Sequence, residues 1–158
     1  MEPKLCIIRE IYFQNNSNFV KVLDTENTDK QSRRTHLCIM IEQEQNRFFI
    51  PLRNNLGPDV RKFGRIGHAL PSNKRENAGL DYRYALIVND DTYLEWQTDK
   101  KNPKSQYQKI NNEYDAICAE FCIYLRGFIK SVKKQRHFKE PLYRESSLIN
   151  FVKELGIK

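Results

Sequence analysis

The side chains best suited to chemistry in this sequence are cations, amides and an imidazole gathered in and around polar segments: Arg34, Arg53, Asn54, Asn55, His68, Lys74 and Tyr82. That set suits metal-free cleavage of RNA, in which the substrate's own 2′-OH attacks the adjacent phosphate to give a 2′,3′-cyclic phosphate. A protein then has only to assist proton transfer and stabilise charge on the phosphorane oxygens. Guanidinium forks match phosphate oxygens two at a time, and amides can fix a non-bridging oxygen or the 2′-OH. Within the set, His68 is the default acid–base group, because imidazole ordinarily titrates near neutrality. From the residues alone, passive phosphate binding is the stronger reading.

Other chemistries find fewer parts. Cys118 and Cys122 are one helical turn apart, but a closed zinc site needs four donors and no nearby Cys or His pair supplies the rest. His36, His68 and His137 are scattered. Asp81 and the Asp90-Asp91 pair are the only candidates for two-metal phosphodiester chemistry, and Asp90-Asp91 reads as a turn. Gly57, Gly64 and Gly67 are not followed by a Gly-Lys-Ser/Thr phosphate loop, and there is no Gly-x-Ser-x-Gly elbow. The sequence therefore calls for no metal and no cofactor.

The elements that must carry these residues start with Arg47–Leu56. An apolar run, Phe48-Phe49-Ile50, enters Pro51-Leu52 and breaks into Arg53-Asn54-Asn55. Proline lacks an N–H and belongs at a strand end, an edge or a bulge, so this stretch predicts a rigid strand with a polar tip. With Leu37–Ile41 and a polar turn over Glu42–Asn46 it predicts an antiparallel hairpin. Leu5–Ile8, Leu80–Val88 and Tyr93–Trp96 read as further strands. Asn15-Asn16-Ser17 is a candidate cap for a short helix burying Phe19, Val22 and Leu23. Asp24–Arg34 reads as a mobile loop and Gly57–Gly79 as a long basic one. Thr98–Gln106 reads as a hydrophilic linker.

The firmest element is a long helix, because Ile110, Tyr114, Ile117, Cys118, Phe121, Leu125, Phe128, Ile129 and Val132 recur at helical spacing. It runs out near Lys134–Phe138, before Pro141. Ser146 or Ser147 then caps a last short helix burying Leu148, Phe151, Val152 and Leu155. The order strand–helix–strands–long helix–helix gives an α+β fold.

The 158 residues suit one domain, spanning 1–158, with 39% hydrophobic and 30% charged residues. No apolar run is long enough for a bilayer, and Met1–Lys4 does not open a signal peptide, so a cytoplasmic location with reduced cysteines is expected. A net charge of +7 favours a polyanionic partner. The cations concentrate in two stretches. One holds Arg53, Arg61, Lys62, Arg65, Lys74, Arg75 and Arg83; the other holds Arg126, Lys130, Lys133, Lys134, Arg136 and Lys139. Two such stretches suit a binding surface better than scattered solubility charge.

Three motifs in order carry a family resemblance: Ile50-Pro51-Leu52-Arg53-Asn54-Asn55, then His68-Ala69-Leu70, then Gly79-Leu80-Asp81-Tyr82. The chain resembles the toxins of type III toxin–antitoxin systems, nearest to their TenpN branch, with ToxN, CptN and AbiQ as wider relatives. The resemblance implies a small antiparallel barrel-like sheet of the MazF and Kid kind, flanked by helices that include one long C-terminal helix. It implies metal-independent endoribonuclease activity on cellular or phage RNA, with a role in phage defence or in plasmid and genome maintenance. It also implies an antitoxin RNA, a repeated pseudoknot that the toxin processes and then binds in a closed protein–RNA hetero-oligomer.

On this resemblance Arg34 takes the place of a cation before the first hairpin strand, and Arg34, Arg53, Asn54, Asn55 and His68 are the catalytic candidates. The branch usually has a hydroxyl where this chain has Asn54. RNA contacts are expected from Arg33, Arg61, Lys62, Arg65, Lys74, Arg75, Tyr82 and Arg83, and from Lys130, Lys133, Lys134 and Arg136 on the helix end. The alternatives are a non-catalytic RNA-binding module and, more weakly, DNA binding through the basic helix end, which has no recognisable recognition helix beside it.

Overall fold

In the computed structural model the described residues are 3–22, 37–58, 60, 66–97 and 104–157. The expected loop over Asp24–Arg34 lies outside them, as do Arg33, Arg34, Arg61, Lys62 and Arg65. The chain runs through β1 (Lys4–Ile8), α1 (Glu10–Asn15), β2 (Leu37–Gln43), β3 (Asn46–Arg53), β4 (Gly67–Ala69), β5 (Gly79–Asp81), β6 (Leu86–Ile87) and β7 (Leu94–Gln97), then the long helix α2 (Lys104–Lys133). A 3-10 helix, Ser147–Phe151, follows. The architecture is α+β.

All strand pairs are antiparallel. The sheet order is β4-β5-β3-β2-β1-β7, with β6 added beside β3. Among the described residues the ladder is open, with β4 and β7 at its ends, so the expected barrel-like closure is not formed by these pairs. What it keeps of a barrel is burial on both faces. Neighbours such as Cys38 and Ile39, or Phe49 and Ile50, point to opposite faces and are all buried.

The β2–β3 hairpin is the firmest part of the sheet. Gln43 pairs with Asn46, so the loop is only Glu44-Gln45, and both residues have positive φ, at 49° and 71°. That is a type I′ connection, whose twist matches the strands it joins. The sequence predicted a longer turn because neither Glu nor Gln advertises the left-handed region as Asn-Gly does. At the other end Pro51 pairs with Cys38 and Arg53 closes the strand.

Helix α2 covers one face of the sheet. Its buried side is Ile110, Tyr114, Ile117, Phe121, Tyr124, Leu125 and Phe128, with Cys118, Ile129 and Val132 half-buried at its borders. Each fully buried large side chain contributes roughly 1.5–3 kcal/mol of transfer free energy. Polar tips fix the docking: Tyr114 donates to the Met40 carbonyl at 2.7 Å, and Phe121 meets Phe48 edge-on at 5.2 Å. Tyr124 was not in the predicted stripe, although it follows Ile117 by seven residues on the same face.

Three local expectations are corrected. The short helix precedes Asn15-Asn16-Ser17 instead of following it. Asn16 closes α1, its amide donating to the Tyr12 carbonyl at 2.7 Å, while Phe19 packs on Phe151 from irregular backbone. The strand expected over Leu80–Val88 is interrupted, because the Asp81 carboxylate accepts the Arg83 N–H and starts a 3-10 turn, Tyr82–Tyr84, before β6 resumes the ladder. The basic loop over Gly57–Gly79 contains a strand, β4. Ser146 does cap the C-terminal segment, accepting the Leu148 N–H at 3.3 Å, and that segment is 3-10.

Candidate functional site

Asp81 organises the end of β3. It is wholly buried (0% exposed) and lies between two arginines. Arg53 reaches it at 2.9 Å; Arg83 takes it as a fork, Nε to Oδ1 at 2.9 Å and Nη2 to Oδ2 at 2.8 Å. Arg83 also donates to the Leu56 carbonyl at 3.1 Å. Both guanidiniums lie over Tyr84, at 5.1 Å for Arg53 and 5.5 Å for Arg83. One carboxylate against two guanidiniums leaves one positive charge in excess. It emerges on Arg53, which is 26% exposed against 8% for Arg83.

Beyond Arg53 the chain turns through exposed Asn54 and Asn55. Arg75 donates to Asn54 Oδ1 at 2.7 Å, and Asn55 Oδ1 accepts the Gly57 N–H at 2.9 Å. Lys74, the residue before Arg75, is exposed. Arg53, Arg75, Asn54 and the Tyr84 ring thus form one positively charged, donor-rich corner at the strand end. It is suited to holding the non-bridging oxygens of a phosphate. The backbone beneath is tight: a Cβ on Gly79, which pairs with Arg53 and Ala69, would run into the His68 carbonyl and the Leu56 side chain.

His68 is elsewhere. In the ladder Leu52, Leu80 and His68 stand opposite one another, and Arg53, Gly79 and Ala69 form the next row. Adjacent rows face opposite sides. His68 therefore points with Leu80 towards α2, whereas Arg53 and Asp81 point away. There Nδ1 lies 2.9 Å from Glu120 Oε1 and Nε2 lies 2.9 Å from Glu113 Oε1. Glu120 also accepts the Tyr82 hydroxyl at 2.8 Å. The sheet thus separates the expected proton carrier from the expected phosphate ligand, because alternation along β4 and β3 sends them to opposite faces. With both ring nitrogens engaged, His68 works as a clip between β4 and α2.

Two expected RNA contacts are also corrected. Tyr82 is fully buried, its ring against Phe121 and Tyr124 and its hydroxyl on Glu120, so it offers no stacking surface. Burial, with Glu120 alongside, pushes its phenol far above the ordinary range. Arg83 is buried against Asp81 and supports the site from beneath. Lys130, Lys133, Lys134 and Arg136 are exposed at the far end of α2. What the sequence left unread is the pairing role of Asp81; Tyr84, which the resemblance sets in the place of a tyrosine or lysine after Gly79–Tyr82, turns out to be the floor beneath both guanidiniums. The signal for Asp81 was its two-residue spacing from Gly79, the residue that pairs with Arg53, which puts both side chains on one face.

The four cysteines are thiols, Cys6 and Cys38 buried and Cys118 and Cys122 half-buried. Cys6 and Cys38 face each other across β1–β2, both buried; burial raises the Cys6 thiol to about 11 and holds the Cys38 thiol well above its usual range. Among the described residues no group of three or more His, Cys, Asp and Glu side chains is arranged to hold a metal ion, and no helix is long and apolar enough to cross a membrane.

No protein-family model and no curated protein matches the sequence. Solved structures do match the fold. One, from work on bacterial type III toxin–antitoxin systems and selective toxin inhibition by a non-coding RNA pseudoknot, has a TM-score of 0.64 at 11% identity, covering 100% of both chains. AbiQ, a lactococcal anti-phage endoribonuclease of a type III system, has a TM-score of 0.64 at 15% identity, covering 99% of this chain and 98% of its own. A third, from a bacterial antiviral system regulated by a processed non-coding RNA, has a TM-score of 0.60 at 15% identity, covering 93% and 97%. Over essentially its whole length, the chain has the fold of these type III toxin–antitoxin proteins.

Proposed function

We propose that this protein is a metal-independent endoribonuclease toxin of a type III toxin–antitoxin system, restrained by a repeated pseudoknot RNA that it processes and binds in a closed assembly. The observation that carries the reading is the Arg53 corner in a chain sharing the full-length fold of AbiQ, a named endoribonuclease. The placement in the TenpN branch rests on the Ile50–Asn55, His68–Leu70 and Gly79–Tyr82 motifs.

In the reaction, the 2′-oxygen of one nucleotide attacks its own 3′-phosphorus while the 5′-oxygen of the next leaves. The 2′-proton is lost, the leaving oxygen gains one, and a 2′,3′-cyclic phosphate remains. Arg53, already oriented by Asp81 and Tyr84, meets the charge that develops on the non-bridging oxygens without having to reorganise. Asn54 and Arg75 hold the phosphate from the exposed side, and Arg34 joins them on the resemblance. Proton transfer falls to groups on the Arg53 face of the sheet, which leaves His68 out. The exposed cations at the end of α2 hold RNA by neutralising its phosphates.

The test is incubation of purified protein with a mixed RNA pool in excess EDTA, mapping fragment ends. Fragments with 2′,3′-cyclic phosphate ends, lost in Arg53→Ala, are expected. RNA that is bound but stays intact would make the protein a non-catalytic RNA-binding module.

A further inference from the structure

At the far end of α2 the chain makes a second, separate feature. The helix closes with paired bonds, Arg136 N–H to the Ser131 carbonyl and Gln135 N–H to the Val132 carbonyl, both 2.9 Å, with Gln135 at φ 55°. This is the αL closure that glycine usually makes. The following turn is tied back, since Lys139 and Glu140 donate to the Arg136 carbonyl and the buried Ser131 hydroxyl donates to Glu140 at 3.0 Å. A non-glycine residue holds φ > 0 only where its surroundings fix it. The corner is therefore built, not frayed.

On that corner stands Phe138, 56% exposed. The Lys139 ammonium lies 5.6 Å from its ring centroid, and His137 meets it edge-on at 5.6 Å and 89°. Lys134, Arg136 and Lys139 are exposed on the same helix end and turn, with Arg136 only loosely tied to Glu140 at 3.6 Å. A single exposed aromatic is common on protein surfaces. One standing on a tied-back turn, with an ammonium against its ring and further exposed cations on the same turn, has the two parts that hold single-stranded nucleic acid: a flat face for a base and positive charge for the flanking phosphates.

We propose that Phe138 is a stacking platform for an unpaired nucleotide of RNA, with the adjoining phosphates neutralised by Lys134, Arg136 and Lys139. This rests on the RNA-handling reading above and adds to it a site apart from the Arg53 corner that distinguishes unpaired from paired RNA. A base inside a duplex has both faces covered by its neighbours and cannot lie on the ring. Cations alone would bind both forms.

The experiment measures equilibrium binding of fluorescent 2′-O-methyl RNA, which cannot undergo 2′-OH attack, as a single strand and as a blunt duplex of equal length. Phe138→Ala should weaken the single strand by roughly 5- to 150-fold, the range for losing one base–aromatic stack. Duplex binding should change less than twofold, and Phe138→Trp should restore the single strand. The dependence of log Kd on log salt should keep its slope in Phe138→Ala and lose close to one phosphate's share in Lys134→Ala. Single-strand binding by Phe138→Ala at the wild-type level, or an equal loss on both probes, would overturn the proposal while leaving the ribonuclease reading in place. Failure of the wild-type protein to bind either probe would overturn both.

Discussion

Arg53 and His68 stand on opposite faces of one ladder: Arg53 lies in the row with Gly79 and Ala69, and His68 lies in the next row with Leu80 and Leu52. The first reaches out over Tyr84 towards solvent, and the second is clasped by two glutamates of α2. Their separation divides the work of this region into a chemical face and a structural face.

Arg53→Ala should lower the cleavage rate by about 10²–10³, the usual cost of losing one donor to a developing oxyanion, and leave the fold intact. Arg53→Lys should recover only part of it, because an ammonium cannot make the planar fork or lie flat on Tyr84. Single-turnover rates on a defined RNA check both.

His68→Ala should behave differently. A lost general acid or base costs about 10²–10⁴ in rate. A lost clip costs hydrogen bonds, roughly 1–3 kcal/mol with partly exposed partners, which for a chain of this size is a fall of about 2–12 °C in Tm. Cleavage below the melting transition should stay within a few-fold of wild type. A loss of two decades there would return His68 to the chemistry.

Asp81→Asn should be the most damaging single change in the site. It leaves Arg83 buried, and Arg53 half-buried, with no carboxylate between them. Removing one partner of such a pair typically costs about 3–5 kcal/mol, and Arg53's exposure argues for the lower end. Chemical denaturation should show it, together with a slower rate, because Arg53 loses its anchor.

The hairpin and the long helix were legible because their signals are periodic and local: Leu37–Ile41 and Phe48–Leu52 as apolar runs, Ile110 to Phe128 as a helical stripe. Arg53 at the strand tip was legible too. The pairing register was not. Nothing in His68-Ala69-Leu70 says which face a three-residue strand gives its histidine until its neighbours are known. Nor does Tyr82 reveal that the chain leaves the ladder after Asp81. The turn at Glu44-Gln45 was hidden because its residues are poor αL formers.

That turn is itself testable. Gln45→Gly should stabilise the protein by up to about 1 kcal/mol, since glycine removes the left-handed penalty at the cost of some unfolded-state entropy. Tm should rise by about 2–4 °C at most.

The buried thiols set a labelling order. Cys6 stays protonated to about pH 11 and burial holds Cys38 well above its usual range, so alkylation of the native protein at pH 8 should reach half-buried Cys122 before either. The folded thiols sit above their unfolded value of 9.0. Their contribution to stability is therefore whole below about pH 9 and is lost as pH rises through the folded values. Mass mapping after timed alkylation, and denaturation at pH 8 and 10, read the two effects.

Strand β1 lies between β2 and β7, and this has a consequence for a chain made one residue at a time. An early segment occupies an inner place in the sheet and waits for residues 94–97 before its second side is filled. Arg53 leaves the ribosome without its carboxylate, which follows 28 residues later, and the helix that seals the other face comes later still. The hairpin can form early, but the Arg53 corner has to wait until Asp81, Arg83 and Tyr84 have followed. A nascent chain stalled before Asp81 would carry Arg53 without the carboxylate that orients it.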